Sequence, residues 1–315
     1  MSNVQHTVAA AQIEIAPDGK SVSNLVPLLW EIGNLKRVRA AHLAGSVAEN
    51  LFRQAWAQIA SGASVRQTAL KTAADAVVAA QIGAIDRSVL DSAGLSSVEI
   101  NEILKRSFDF ARALDDDQKN ELWQALDSET ESREGKVPQF VEMLARQPRS
   151  GATKIGAPRL IFDLPENHAE HCLSVAVFAV LLAPVFAADI ETVFLAALAH
   201  HFHNASLPDA GFAGEEMLGD KLPKVFRAFR EKCLQELPAE LGGKIRKTFV
   251  LIETAAMPEA RAFHAADVID RVLQMRHHAE AAGFTLQYAM EEMELVHAGA
   301  IQTFHYEILR AAKLI

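Results

Sequence analysis

Between Leu173 and Ala188 the chain is apolar almost without interruption, broken only by Ser174 and Pro184. A helix built from such a run has no polar face to offer water, so other elements must enclose it. The run falls short of the roughly 20 residues that cross a bilayer, which points to a buried helix rather than a membrane span. With 315 residues there is enough chain for one large domain or two ordinary ones. Ala, Leu, Glu and Gln are abundant, Gly, Pro and aromatic residues are sparse, and no strand-turn-strand series occurs, so the expected class is all-α. Hydrophobic residues make up 50% of the sequence, which argues against disorder.

Local signals place the helices. Leu25, Leu28, Leu29, Ile32 and Leu35 form one apolar face, and residues 22–60 read as helical. Ser96-Ser97-Val98-Glu99 has the form of a capping box and predicts a helix through about Ala113. Asp115-Asp116-Asp117 precedes Leu122-Trp123-Leu126, which suits a helix start where negative charge is favoured. Residues 128–137 are highly charged, and Gln147 to Pro158 hold Pro, Ser and Gly that interrupt helical spacing. The expected division is therefore a helical N-terminal region over 1–155 and a second domain over 156–315. No repeat, heptad, Gly-rich phosphate loop or low-complexity tract is seen.

The second half carries the chemistry. Pro165 is placed at an early helical position, ahead of His168 and His171, whose separation of three puts two imidazoles on one side. Asp189 can cap the next helix, which delivers His200 and His201 at its polar end. Pro258 can start a third helix on which His264, Asp267 and Asp270 follow in steps of three. If these stretches face one another they supply enough imidazole and carboxylate to hold a metal ion. Singly, each histidine reads more simply as a packed or hydrogen-bonded residue. His277-His278, beside Arg276 and Glu280, read as a solvated face, and His42, His297 and His305 as structural or surface residues.

Charge and cysteine content narrow the setting. A net charge of −9 and a pI near 5.7 argue against a nucleic-acid surface and leave a small phosphorylated ligand open. Cys172 and Cys233 have neither metal nor redox spacing, which fits a reduced, cytoplasmic protein. The first residues, with His6, lack the layout of an export signal.

Glu166-Asn167-His168-Ala169-Glu170-His171-Cys172-Leu173-Ser174-Val175-Ala176 resembles the first motif of the HD-domain metal phosphohydrolases, especially the bacterial 5'-deoxynucleotidase branch. Ala265-Ala266-Asp267-Val268-Ile269 resembles the last motif, and the likeness spans roughly residues 160 to 275. It implies an HD-like helical bundle, with residues 22–40 packing on it and an added N-terminal helical region. It also implies one divalent metal on His171, His200, His201 and Asp267, with His168 and His203 as further candidates. Two departures stand out. His201 replaces the aspartate of the usual His-Asp pair, and Asn204 replaces a catalytic glutamate, while Asp209 falls where the branch carries an acidic residue that orients water. A His-rich set favours zinc, iron, cobalt or nickel, with manganese also in the divalent range, over magnesium. Lys36 and Arg39, with Arg37, form a basic cluster expected to face substrate phosphate, the alternative being a solvated face.

The expected function is hydrolysis of a nucleotide or other small phosphate ester, with Asp209 and Asn204 at the catalytic positions and neither a nucleic-acid polymer nor a membrane as partner. A homodimer is compatible with it. The alternatives are a degenerate HD-like ligand-binding or regulatory module and, third, oxidative chemistry at a two-metal site.

Overall fold

The computed structural model describes residues 19–127, 135–162, 164–282 and 284–315. Expectations resting on His6 and on most of the charged 128–137 stretch lie outside them. The described residues form an all-α protein without strands: α1 (Gly19–Gly33), α2 (Val47–Ala60), α3 (Val65–Ile82), α4 (Arg87–Ser92), α5 (Ser97–Phe110), α6 (Asp116–Asp127) and α7 (Gln139–Arg146) precede α8 (His168–Phe186), α9 (Ile190–Ala199), α10 (Gly211–Leu218), α11 (Leu222–Leu234), α12 (Ala239–Thr248), α13 (Pro258–Ala282) and α14 (Gln302–Ala311).

The apolar run forms the greater part of α8. This helix starts at His168, before the run, and so reaches 19 residues, long and apolar enough to cross a membrane. It is instead enclosed by α13, α9, α2, α3, α7 and α1. Ala169, Ala176 and Ala179 on α8 and Ala262, Ala265 and Ala266 on α13 are all fully buried, small side chains that let the two backbones approach. Ala187 in the left-handed region, φ 52, ends α8. One continuous core runs from Val22 to Leu314.

The caps form at Ser96 with Glu99 and at Asp189, which accepts the Thr192 N–H at 2.8 Å. Two expectations need correction. The helical reading of residues 22–60 holds over α1 and α2 but not between them: α1 gives way to a 3-10 turn at Asn34–Lys36, and α2 starts afresh behind the Ser46 cap. Gly45 makes this break, since its φ of +98 is one that a side chain resists and a Cβ there would meet the Glu49 carboxylate. Pro165 is the second case, because Asn167 caps α8 and leaves the proline outside the helix.

An aromatic cluster carries this frame to the site. Trp56 of α2 lies 4.9 Å from Phe140 of α7 and 5.3 Å from Phe202, and Phe140 lies 4.7 Å from Phe202. Phe202 starts the short 3-10 segment Phe202–Ala205 after α9, so its burial fixes the turn that bears His200, His201 and His203.

Candidate metal centre

The first turn of α8 is held by a reciprocal cap in which the Glu170 N–H donates to Asn167 Oδ1 and the Asn167 N–H to Glu170 Oε2. This fixes the start of the helix on which His171 turns inward, with no exposure. His171 Nδ1 lies 2.7 Å from Asp270 Oδ2, so its N–H donates to the carboxylate and Nε2 keeps a lone pair. His200 is arranged alike, its Nδ1 donating to the Ala197 carbonyl at 2.6 Å, and His201 donates from Nδ1 to Asn204 Oδ1 at 2.8 Å.

The consequence is electrostatic. His171 Nε2 and His200 Nε2 stand 3.1 Å apart, with Asp267 Oδ1 3.3 Å from the former. Two lone pairs and a carboxylate facing each other repel unless a cation lies between them. Ligands about 2.1 Å from one ion are separated by roughly 3.0–3.4 Å, so the spacing fits a metal ion. His201 offers its ring nitrogen within 4.8 Å of those of His171 and His200. Burial and neighbouring imidazoles push the pKa of His200 and of His201 well below the usual value and keep both neutral, as ligands must be. Burial alone would raise Asp267, but Arg271 and His171 overcome it and hold the carboxylate ionised.

Behind the histidines lies a buried charge cluster. Lys36 Nζ reaches Glu166 Oε1 at 2.5 Å and Asp270 Oδ1 at 2.6 Å. Burial opposes its charge, yet Asp270 and Glu166 hold its pKa above the usual lysine value. The expectation that Lys36 faces substrate phosphate is therefore corrected, because its ammonium is spent supporting the carboxylate that orients His171. Arg39 lies toward solvent, 3.5 Å from Glu170, and Arg37 bonds to Asn34 and Gln274.

A cavity of about 320 Å³ opens beside His200, His201 and Asp267. Asp209 lines it, its carboxylate pinned by the N–H groups of Ser150 at 3.0 Å and Gly211 at 2.8 Å. Burial would raise the Asp209 pKa, but His168, Arg149 and the Ser150 N–H drive it well below the carboxylate range. His168 Nε2 stands 3.4 Å from Asp209 Oδ2 without hydrogen-bond alignment, and burial lowers its pKa to about 4. His203 stacks on Phe226 at 3.8 Å, turned to another part of the cavity wall.

Several inward residues differ from expectation. His297 and His305 line the cavity with His264, and His278 is buried, stacked on Phe162 at 4.3 Å and bonded to Gln274, not solvated. Arg149, in the stretch taken for a boundary, also lines the cavity and has a buried Nη1 without a partner among the described residues. No periodicity marks a residue in such a turn. Asn204 holds the His201 tautomer, and its amide cannot act as a general acid or base toward substrate. A larger cavity, about 590 Å³, lies among α2, α3 and α5 around Lys71 and Asp75, away from these histidines.

The sequence matches the family model of the HD domain over residues 141–306, more than half of the chain. The chain belongs to the HD-domain family. No curated protein and no solved structure matches it.

Proposed function

We propose that this HD-domain protein is a divalent-metal-dependent hydrolase of a small phosphate ester, a nucleotide among the candidates as the resemblance to the deoxynucleotidase branch implies. The observation that carries this reading is the convergence of His171 Nε2, His200 Nε2 and Asp267 Oδ1, with His201 beside them, at the wall of a cavity that also bears Arg149. His171, His200, His201 and Asp267 would hold the ion, which when bound supplies Lewis acidity toward phosphate and water. Arg149 offers to a phosphate oxygen its Nη1, which has no partner among the described residues. Asp209, ionised and fixed by two backbone N–H groups, accepts a hydrogen bond from water and orients it. So low a pKa makes it a poor proton acceptor. His168, neutral and beside Asp209, is the better seat for that proton.

The bond from His201 to Asn204 favours a second reading, since it fills with an amide the place where the resemblance implies a glutamate. On that reading the site binds a ligand without turnover. The test is metal content in protein purified without chelator or His-tag, alongside His171→Ala and Asp267→Ala, followed by phosphate release from nucleoside monophosphates. Near-stoichiometric metal lost in both variants, with phosphate release abolished by His200→Ala, is expected. Bound metal without turnover favours the binding module, and folded wild type that takes up no metal overturns the hydrolase.

A further inference from the structure

The cavity beside the histidines is lined by three arginines and by four carboxylates, Glu166, Asp209, Glu215 and Asp267. Arg149, Arg230 and Arg271 all line it. Arg271 pairs with Asp267 at 3.0 Å, and Arg149 faces Glu166 at 3.9 Å. Arg230 forms no ion pair among the described residues. Its guanidinium lies 5.5 Å from the Phe226 ring centroid and 4.7 Å from that of Phe249, and its buried Nε has no hydrogen-bond partner among the described residues. Ring contacts use the faces of a guanidinium and leave its edge free, and the edge is what grips a carboxylate or phosphate with two parallel hydrogen bonds.

Three of the four cavity acids are committed elsewhere. Asp209 is held by backbone N–H groups, Asp267 by Arg271 and Glu166 by Lys36. Burial raises the Glu215 pKa, with Asp209 adding to it and Arg271 and Arg149 opposing it, while Arg230 feels Glu253, with which it forms no ion pair among the described residues. Burial lowers the Arg230 pKa, a cost that an incoming anion would relieve. A chain of ring contacts links Arg230 to the metal ligands: His201 to His203 at 5.6 Å, His203 to Phe226 at 3.8 Å, then Phe226 to the guanidinium.

We infer that the molecule this cavity takes is a compact bis-anion: one phosphate at the histidine cluster and Arg149, and a second anionic group, phosphate or carboxylate, on the edge of Arg230. The inference rests on the hydrolase reading for the first phosphate only. About 320 Å³ is near the lower end of small-molecule sites, so the two groups belong to one short molecule.

The test measures binding of non-hydrolysable probes to zinc-loaded protein by calorimetry: short ω-phosphonoalkanoates of graded length, each against the alkylphosphonate of equal length. At one length the second anion should tighten binding about tenfold or more. Arg230→Met should erase that advantage while leaving alkylphosphonate affinity and metal content unchanged, and Arg230→Lys should keep part of it. Equal affinity for both probes at every length, an advantage that survives Arg230→Met, or no binding of any probe overturns the inference. Failure of the hydrolase reading is separate: it would appear as absent phosphate release, while the Arg230-dependent advantage persisted.

Discussion

His171 shows how much one side chain depends on others far away in the chain. Its Nδ1–H is taken by Asp270, and Asp270 is held by Lys36, 234 residues earlier. Such supporting partners of metal-binding imidazoles are worth about 10–100-fold in metal affinity. Asp270→Asn should therefore weaken metal binding by about tenfold or more, read by competition with a chelator. Lys36→Met should act on folding instead. It leaves Glu166 and Asp270 buried without their cation, and removing one partner of a buried pair costs about 3–5 kcal/mol, measurable by urea unfolding.

Two caps of the same design serve different ends at the level of elements. Ser96 with Glu99 starts α5, remote from the histidines, whereas Asn167 with Glu170 starts α8 and also donates to Glu49 Oε2 of α2 at 3.0 Å. Ser96→Ala and Asn167→Ala should each cost about 1 kcal/mol of stability, seen as a lower urea midpoint at constant slope. Only Asn167→Ala should also weaken metal binding, because His168 and His171 lie in the turn that this cap holds. Equal metal affinity in both variants would show that packing alone sets the angle of α8.

For the whole molecule, buried neutral histidines set the response to pH. Burial lowers His305 to about 3, and His297 and His278 to about 4. In the unfolded chain each titrates near 6.5, so as pH falls below about 6.5 the unfolded state binds protons that the folded state refuses. Their contribution to stability is present above that value and is lost as pH falls toward about 4, and for His305 toward about 3, by up to about 1.4 kcal/mol per pH unit for each group. Unfolding midpoints at pH 7, 6 and 5 should fall steadily, and His305→Gln should flatten the decline; a level profile would show that these rings are solvated.

What the sequence determined by itself was local. The apolar run demanded an enclosed helix, and the caps at Ser96 and Asp189 and the proline at Pro258 marked starts that the chain keeps, because these signals act within one turn. The spacing of His168 and His171, and of His264, Asp267 and Asp270, told which residues share a helix face, but not what each face meets. Packing alone decided that His171 and His200 turn their lone pairs on each other, that Lys36 disappears behind them, and that His278, His297 and His305 point inward. Arg149 and Arg230 join the cavity from segments separated by 81 positions with no shared pattern. Periodicity records how a helix is buried; charge pairing and the convergence of ligands depend on distances between helices, which only the assembled bundle defines.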